Sequence, residues 1–253
     1  MRKISIIIPT RDRAIKFEKT IEALQLNTAH KELLELLVIV NDDDLQSQAY
    51  VKKVMAHHGM LSYKLLTRPY SIALNRDYYN WAADQATGDL IWIYADDLIV
   101  VAPNWDVAVD TAVNAMYEKH PDGVFIISIK DNTPPPSHRL PKFPCFPMFT
   151  RQVKECLGWW LHPKPNNWGV DYIMFMIFGP LNRICNVHDR NYINHVSYHS
   201  HQEQPDATNV RIGSIFNSTK MIPEHNTDRI LSEEVPVIQQ EIRNYLKAKG
   251  ITV

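Results

Sequence analysis

The feature of the sequence that most constrains its fold is a regular alternation of short apolar runs with segments of helical length. The runs span residues 4–8, 33–40, 63–68 and 90–97, and the helical patterns between them span residues 14–27, 46–57 and 71–86. The runs are largely apolar throughout, and each connection is long enough for a crossover helix. This combination is typical of a parallel sheet that is covered on both faces. The sequence therefore predicts an α/β fold.

The rhythm changes after residue 97. A helix is predicted over residues 106–118 and a strand over residues 123–129, and a loop with six prolines follows at 131–147. Two further helices are predicted over residues 151–157 and 171–178, and the C-terminal helix carries Val235, Ile238, Ile242 and Tyr245 on one face. Because no internal repeat or linker separates these parts, we expect a single domain over residues 1–253.

Charge and cysteine content exclude several classes of protein. The 27 Lys and Arg residues oppose 28 Asp and Glu residues, so no overall field draws the chain to nucleic acid or to an anionic membrane. Three cysteines without CxxC spacing suggest neither a disulfide framework nor a zinc site. The first apolar run is too short for a signal peptide, and no run reaches the roughly 18 apolar residues of a transmembrane helix. We expect a cytoplasmic protein without a transmembrane segment or nucleic-acid partner, and the sequence leaves its oligomeric state open.

Polar residues follow three of the predicted strands at their carboxyl ends. They are Pro9-Thr10-Arg11, the segment 41–44, and the pair Asp96 and Asp97. In a doubly wound sheet these ends lie at one edge, where ligands bind. With only 8 glycines and no glycine-rich phosphate loop, a bound diphosphate would need another positive charge, which a divalent cation on carboxylates supplies. The alternative is turn chemistry, since Asp readily ends strands and starts turns.

Four stretches of the chain together resemble a known family. They are ISIIIPTRDR, LLVIVNDDD, SIALNRDYYNWAADQATGDLIWIYADDLIV and WGVDYIMF, and they stand in the order found in family 2-like glycosyltransferases of the GT-A fold. The resemblance covers about residues 3–178. It implies a GT-A (Rossmann-like), mostly parallel central sheet with helices on both faces, in one domain with a C-terminal acceptor-side extension. It also implies a nucleotide-donor half at residues 1–100, an acceptor half at 101–220 and a C-terminal helical segment at 221–253.

The resemblance assigns donor-binding roles to residues of the first half. The backbone of Pro9, Thr10 and Arg11 and the carboxylate of Asp42 are expected to cradle the nucleotide base and ribose. Further candidates are Asp43, Arg68, Asn75 and Asp96. The bound donor would be a nucleotide-sugar, and the acceptor a glycan or a related compound.

The metal motif of the family departs from its pattern in this chain. The DxD motif falls on Tyr94, Ala95 and Asp96, so that its first Asp is a tyrosine here. Asp97 is the neighbour that could supply the missing carboxylate, and Asp96 with Asp97 would hold Mn²⁺ or Mg²⁺ against the donor diphosphate. Turn capping or a metal-free site is the alternative. His195 is the candidate third ligand, as a C-terminal histidine serves in several GT-A enzymes.

The histidines near the C-terminal side have a second interpretation. His195, His199 and His201 share the parity of one strand face, and His188 stands nearby, so they also fit a surface strand with fortuitous histidines.

Asp171 is the candidate catalytic residue. The resemblance places an acidic general base at the start of such a helix, where it would deprotonate the acceptor hydroxyl in an inverting transfer. A carboxylate in a first helical turn is also favoured by the helix dipole and free amides, so a capping role is equally compatible. Trp159, Trp160 and Trp168 stand close by in sequence and would form either a sugar-stacking platform or part of the core.

From these observations we expect a divalent-metal-dependent, inverting glycosyltransferase. A nucleotidyltransferase is a rival, although the segment PTRDRAIKF lacks the glycine of the usual basic loop. A degenerate sugar-nucleotide or glycan-binding module is a second rival, for which the tyrosine at position 94 is the best argument.

Overall fold

The computed structural model describes residues 1–59, 61–132, 145–166, 169–196, 206–219, 222 and 225–251. The strands are β1 (Ile4–Pro9), β2 (Leu34–Asn41), β3 (Ser62–Arg68), β4 (Leu90–Ile93), β5 (Leu98–Val100), β6 (Ile126–Ile129), β7 (Met148–Thr150), β8 (Ile184–Val187) and β9 (Ile193–His195). The α-helices are α1 (Ala14–Asn27), α2 (Leu45–His57), α3 (Trp81–Ala83), α4 (Trp105–Lys119), α5 (Arg151–Leu157), α6 (Val170–Phe178), α7 (Ala207–Thr219), α8 (Thr227–Arg229) and α9 (Val235–Ala248). Two π-helical segments, Asn75–Asn80 and Ile230–Glu234, precede α3 and α9.

The main sheet has seven strands in the order β3-β2-β1-β4-β7-β6-β8. The pairs β2–β3, β1–β2, β1–β4 and β6–β8 are parallel, whereas β7 runs antiparallel to both β4 and β6. Strands β5 and β9 form a separate antiparallel pair. The prediction of an α/β fold with a mostly parallel sheet is therefore confirmed.

Two apolar cores lie on the two faces of the sheet. Within β1, Ile4, Ile6 and Ile8 face the core that contains residues of α1, α2 and α4, while Ile7 faces the core that contains residues of α6 and α9. Alternate side chains of a strand point to opposite faces, so a strand buried on both sides must be apolar throughout. This explains the continuous apolar runs of the sequence and places helices on both faces of the sheet.

The segment after β3 differs from the helix predicted over residues 71–86. It is π-helical over Asn75–Asn80 and only then continues as α3. The Asn75 side chain donates to the carbonyl of Pro165 at 2.8 Å, and the Asn80 side chain donates to the carbonyl of Leu161 at 2.8 Å. The wider π-helical turn lets these two amides reach one connecting segment, and such turns are often found at functional sites.

Other elements were not expected from the sequence. The fourth strand ends at Ile93, so Asp96 and Asp97 stand in a turn before β5. Strands β7 and β8 and helix α7 lie in stretches without a clear apolar period. The proline-rich loop falls largely outside the described residues. Across the described part of the chain, none of the helices combines the length and the apolar character needed to span a bilayer.

Candidate active site at the carboxyl edge of the sheet

The site is built where the parallel strands β1 to β4 end. Ile7 of β1 pairs with Ile93 of β4, so Thr10 and Asp96, each three residues further along, arrive at the same level. The Thr10 hydroxyl donates to Asp96 Oδ2 at 2.7 Å. The Thr20 hydroxyl of α1 donates to the main-chain carbonyl of Asp96 at 2.9 Å. The parallel register thus brings two of the predicted donor-site residues into contact.

Asp96 and Asp97 form a buried acidic pair with Arg13. The two residues are only 3% and 5% exposed. Arg13 Nη1 lies 3.0 Å from Asp96 Oδ1 and 3.3 Å from Asp97 Oδ2. Two neighbouring carboxylates in such a place would repel each other strongly, and the guanidinium offsets part of this repulsion. The sequence analysis did not assign Arg13 a role.

The two aspartates have different proton affinities. Burial raises the pKa of Asp96 to about 6, although Arg13 opposes the shift, and the charge of Asp97 adds to it. Burial alone would also raise the pKa of Asp97, but contact with His195 and the charges of Arg13 and Lys16 outweigh it and hold this pKa below its usual range. Asp97 therefore loses its proton at a lower pH than Asp96 does.

His195 reaches the acidic pair through the small second sheet. It ends β9, where it pairs with Leu98 of β5, and its Nε2 lies 3.5 Å from Asp97 Oδ1. Its main-chain amide donates to the side chain of Asn132 at 2.7 Å. The predicted proximity of His195 to the acidic pair is thus present in the structure.

Asp97 and His195 are the candidate protein ligands for a divalent cation at this place. Asp96 turns its two oxygens toward Thr10 and Arg13. Among the described residues, no three His, Cys, Asp or Glu side chains are arranged to hold an ion. Mg²⁺ at nucleotide sites is usually held by one or two carboxylates together with substrate phosphates, so the pair fits such an ion only with phosphate oxygens completing the shell.

Tyr94 does not face the crevice. Its side chain is fully buried, its hydroxyl donates to the carbonyl of Leu98 at 3.1 Å, and its ring lies edge-on to Trp92 at 4.6 Å. A carboxylate in this orientation would point into an apolar core. The tyrosine at the first motif position is therefore a core residue of this fold.

A second cluster lies beyond β2 and β3. Arg11 pairs with Asp43 at 2.7 Å and donates to the side chain of Asn41 at 3.0 Å. The hydrogen bond from Arg11 holds the pKa of the exposed Asp43 below its usual range. The main-chain amide of the exposed Asp42 donates to the carbonyl of Arg68 at 2.9 Å, which fixes the backbone at this position. Asp44, by contrast, accepts from the amide of Ser47 and caps α2, so the turn interpretation holds for this member of the acidic run.

Arg68 and Asn75 differ in how they meet this crevice. The guanidinium of Arg68 lies over the rings of Trp81 at 4.8 Å and Tyr78 at 5.5 Å, and Arg68 is partly exposed. Asn75 is 1% exposed and ties the π-helical segment to Pro165. Asn75 thus has a structural task, whereas Arg68 presents a charge beside aromatic faces. Pro9, the last residue of β1, is partly buried.

Asp171 stands at the second position of helix α6. Gly169 precedes the helix with a φ of 88°, a left-handed conformation that suits glycine. Asp171 Oδ1 accepts from the amide of Tyr172 at 3.0 Å. Burial raises the pKa of the partly exposed Asp171 to about 6, despite this amide and a hydrogen bond with Cys145, and the charge of Asp131 also raises it. The carboxylate accepts from an amide of the first helical turn, as one interpretation of the sequence predicts, and its raised pKa is compatible with the other interpretation, a general base.

Two pairs of consecutive residues connect Asp171 with His195. Cys145 is hydrogen-bonded to Asp171, and the ring of Phe146 lies edge-on to that of His195 at 5.1 Å. Asn132 holds the amide of His195, and the charge of the adjacent Asp131 acts on Asp171. The candidate base and His195 are therefore linked through these two short segments.

The predicted tryptophan platform is only partly accessible. Trp160 is 2% exposed and packs in a core, whereas Trp159 is partly exposed and lies edge-on to His162 at 5.4 Å. Trp168, His199 and His201 lie outside the described residues. His188 contacts the Ser128 hydroxyl at 2.7 Å, at the carboxyl ends of β6 and β8. Core packing thus explains Trp160.

Helix α7 and the residue before it supply contacts that sequence reasoning missed. Asp206 pairs with Arg13 at 2.8 Å and with Lys16 at 3.1 Å. The Thr208 hydroxyl donates to the carbonyl of Arg11 at 3.4 Å, and the guanidinium of Arg211 lies 5.5 Å from the ring centre of Tyr70. The only signal in the sequence was the basic segment RDRAIK directly after β1.

The chain has a GT-A-type fold, as the resemblance of its sequence implies, and solved structures share this fold. S. aureus TarS, crystallised as residues 1–349 in complex with UDP, aligns with a TM-score of 0.57 and 17% identity over 99% of this chain and 76% of that chain. The same protein in complex with UDP-GlcNAc gives 0.57 and 16% over 99% and 76%. The mannosyltransferase PcManGT from Pyrobaculum calidifontis, in complex with GDP-Man and Mn²⁺, gives 0.54 and 16% over 98% and 75%. No family model and no curated protein sequence matches the chain.

Proposed function

We propose that this protein is an inverting glycosyltransferase that moves a sugar from a nucleoside diphosphate donor to a hydroxyl of a glycan or a related acceptor. The observation that carries the proposal is the link between two carboxylate sites: the buried acidic pair contacts His195, and residues 131–132 and 145–146 contact both His195 and Asp171. The solved structures with this fold support it, because they contain UDP, UDP-GlcNAc or GDP-Man.

The donor half, residues 1–100, would hold the nucleotide. Asp42 and Asp43 are exposed at the edge of the sheet, where carboxylates can accept from a base or a ribose. Arg11 and Arg68 stand beside them with partly exposed guanidinium groups. The backbone of Pro9 and Thr10 lies at the carboxyl end of β1, and Asn75 ties the π-helical segment to Pro165. The acceptor would bind against residues 101–220, with 221–253 packing behind them as the C-terminal helical segment.

Asp97 and His195 are the residues that would hold Mn²⁺ or Mg²⁺, with Asp96 as an additional charge beside them. A bound divalent cation offsets the negative charge that develops on the leaving diphosphate. Thr10 and Arg13 fix the orientation of Asp96, so the acidic pair is positioned before the donor arrives. Such preorganisation lowers the cost of arranging charge during the reaction.

Asp171 would receive the proton of the acceptor hydroxyl. As this proton moves to a carboxylate oxygen, the hydroxyl oxygen forms a bond to the anomeric carbon, and the bond from that carbon to the diphosphate oxygen breaks. Attack from the face opposite the leaving group inverts the anomeric configuration. A pKa of about 6 leaves Asp171 ionised at neutral pH yet basic enough to accept the proton.

A donor screen with product detection tests this proposal. The full chain is incubated with UDP- and GDP-sugars, simple glycosides as acceptors, and either Mn²⁺ or EDTA. We expect a glycoside product and release of the nucleoside diphosphate in the presence of Mn²⁺. Metal-dependent binding without turnover would instead indicate a sugar-nucleotide-binding module. In a parallel incubation with nucleoside triphosphates and sugar phosphates, release of pyrophosphate would indicate a nucleotidyltransferase.

A further inference from the structure

Arg13 and Lys16 form a cationic pair at the start of α1. They are three residues apart, so they lie on the same side of the helix. Both contact one carboxylate, that of Asp206, at 2.8 Å and 3.1 Å. The side chains of Arg13 and Lys16 are 9% and 19% exposed, while that of Asp206 is 30% exposed. Asp206 therefore covers the two cations from the solvent side.

The charges around this pair do not favour the binding of a further anion. Asp96, Asp97 and Asp206 carry three negative charges, against the two positive charges of Arg13 and Lys16. A diphosphate that entered beside all three carboxylates would meet strong repulsion. If the Asp206 side chain turns away, the same two cations can pair with phosphate oxygens instead.

Arg13 also retains hydrogen-bonding capacity. Its Nε is buried and donates to no acceptor in the described part of the chain. Burial alone would lower the pKa of Arg13, but the carboxylates of Asp96, Asp206 and Asp97 outweigh burial and hold this pKa above its ordinary value. Arg13 therefore stays charged whether or not a ligand is present, and a guanidinium with a spare donor suits a phosphate group.

We propose that Arg13 and Lys16 are a diphosphate-binding pair and that the Asp206 carboxylate is a resident anion which the diphosphate of the donor displaces. The inference rests on the proposed function for the identity of the donor, but the binding of pyrophosphate tests it without any sugar transfer. Charge-assisted contacts of both cations to phosphate oxygens replace the two contacts to Asp206, so the exchange keeps the cations paired.

The proposal predicts an unusual sign for one substitution. In metal-free buffer with EDTA, calorimetric titration of the full chain with pyrophosphate, and separately with UDP and GDP, should show tighter binding to Asp206→Asn than to the wild type. The gain should be about three- to tenfold, because a competing charge-assisted contact is removed. Lys16→Gln should weaken binding by a similar factor of about ten, since one cation is lost. The double variant should lose most of the gain, because the two residues share one ligand position.

Asp110→Asn is the matched control, since Asp110 also pairs with an arginine, Arg2, but at the opposite edge of the sheet. It should bind pyrophosphate as the wild type does. Lys16 is chosen for substitution because Arg13 also holds the acidic pair, and circular dichroism confirms that each variant is folded.

Unchanged or weaker pyrophosphate binding by folded Asp206→Asn would overturn the inference, as would the absence of binding by both proteins at millimolar pyrophosphate. Tighter binding without any sugar transfer would leave the inference standing and count against the proposed function. Sugar transfer by the wild type, together with equal pyrophosphate affinity of the wild type and Asp206→Asn, would overturn the inference and leave the proposed function standing.

Discussion

Asp97 and Asp171, one in each half of the proposed site, have opposite surroundings. In the proposed donor half, Asp97 is surrounded by the side chains of His195, Arg13 and Lys16, and its pKa lies below its usual range. In the proposed acceptor half, Asp171 is surrounded by amides, a thiol and a further carboxylate, and burial raises its pKa to about 6. Asp97 is thus held as an anion, whereas Asp171, like Asp96, takes up a proton more readily. The proposed transfer between a diphosphate donor and a hydroxyl acceptor requires both kinds of carboxylate.

The largest effect is expected on substitution of Asp171, which tests directly whether this carboxylate is the base. Asp171→Asn keeps the size of the side chain and the acceptor oxygen for the Tyr172 amide but removes the base. Transfer should fall by about 10²- to 10⁴-fold, the usual contribution of a general base. Binding of UDP or GDP, measured by calorimetry, should be unchanged. Asp110→Asn serves as the control for loss of a carboxylate elsewhere, and full turnover by Asp171→Asn would refute the assignment.

The next effect concerns the other half, where charge is held. Asp97→Asn and His195→Gln should each raise the Mn²⁺ concentration needed for half-maximal transfer by about tenfold or more, because each removes a proposed ligand. Binding of Mn²⁺ in the presence of UDP, followed by electron paramagnetic resonance, gives a readout that does not depend on activity. A wild type that is fully active in EDTA, or variants with an unaltered Mn²⁺ requirement, would contradict this part of the account.

A smaller effect should appear in the dependence of transfer on pH. Asp171 can accept a proton only when it is ionised, so kcat/KM should rise with pH through a midpoint near the pKa of about 6. Cys145→Ala removes a hydrogen bond that lowers this pKa and should move the midpoint to higher pH. Cys145→Ser keeps a donor and should leave it near the wild-type value. A profile that is flat across this region, or a midpoint that moves downward in Cys145→Ala, would be inconsistent with Asp171 as the base.

The smallest effect is expected on the free energy of unfolding, which should change in opposite directions in Asp171→Asn and Asp97→Asn. The pKa of Asp171 is raised on folding, so the folded state binds more protons between about pH 4 and 6, and its stability falls as pH rises through this window. Above it, Asp171→Asn should stabilise the fold by on the order of 1 kcal/mol, since a neutral amide is cheaper to bury. Asp97→Asn removes a partner of Arg13 and should destabilise by on the order of 1–3 kcal/mol. Urea denaturation at pH 8 measures both, and equal signs would contradict the comparison.

The sequence predicted the frame of the site because strand periodicity and parallel pairing act locally. Once β1 and β4 are parallel neighbours, the position of Thr10 beside Asp96 follows from counting residues beyond Ile7 and Ile93. The resemblance predicted that His195 lies near the acidic pair. This proximity depends on the pairing of β5 with β9, which no local sequence pattern predicts.

What the sequence could not supply are contacts decided by tertiary packing. The ion pairs of Arg13 with Asp96 and Asp206 join residues 83 and 193 positions apart. The orientation of Tyr94 depends on where β4 ends, and its side chain lies in the core with Trp92 instead of in the crevice. The π-helical segment is accompanied by hydrogen bonds from two asparagine side chains to one connecting segment distant in sequence. None of these features follows from periodicity alone.

The most direct test of the central claim is the anomeric configuration of the product, which proton nuclear magnetic resonance reads from the coupling constant of the anomeric proton. The wild type, supplied with a nucleoside diphosphate sugar, Mn²⁺ and an acceptor, is predicted to form a glycoside of inverted configuration. Asp171→Asn is predicted to bind the donor but to form this product about 10²- to 10⁴-fold more slowly. A glycoside of retained configuration, or equal product from both proteins, would contradict the division of labour between the two halves.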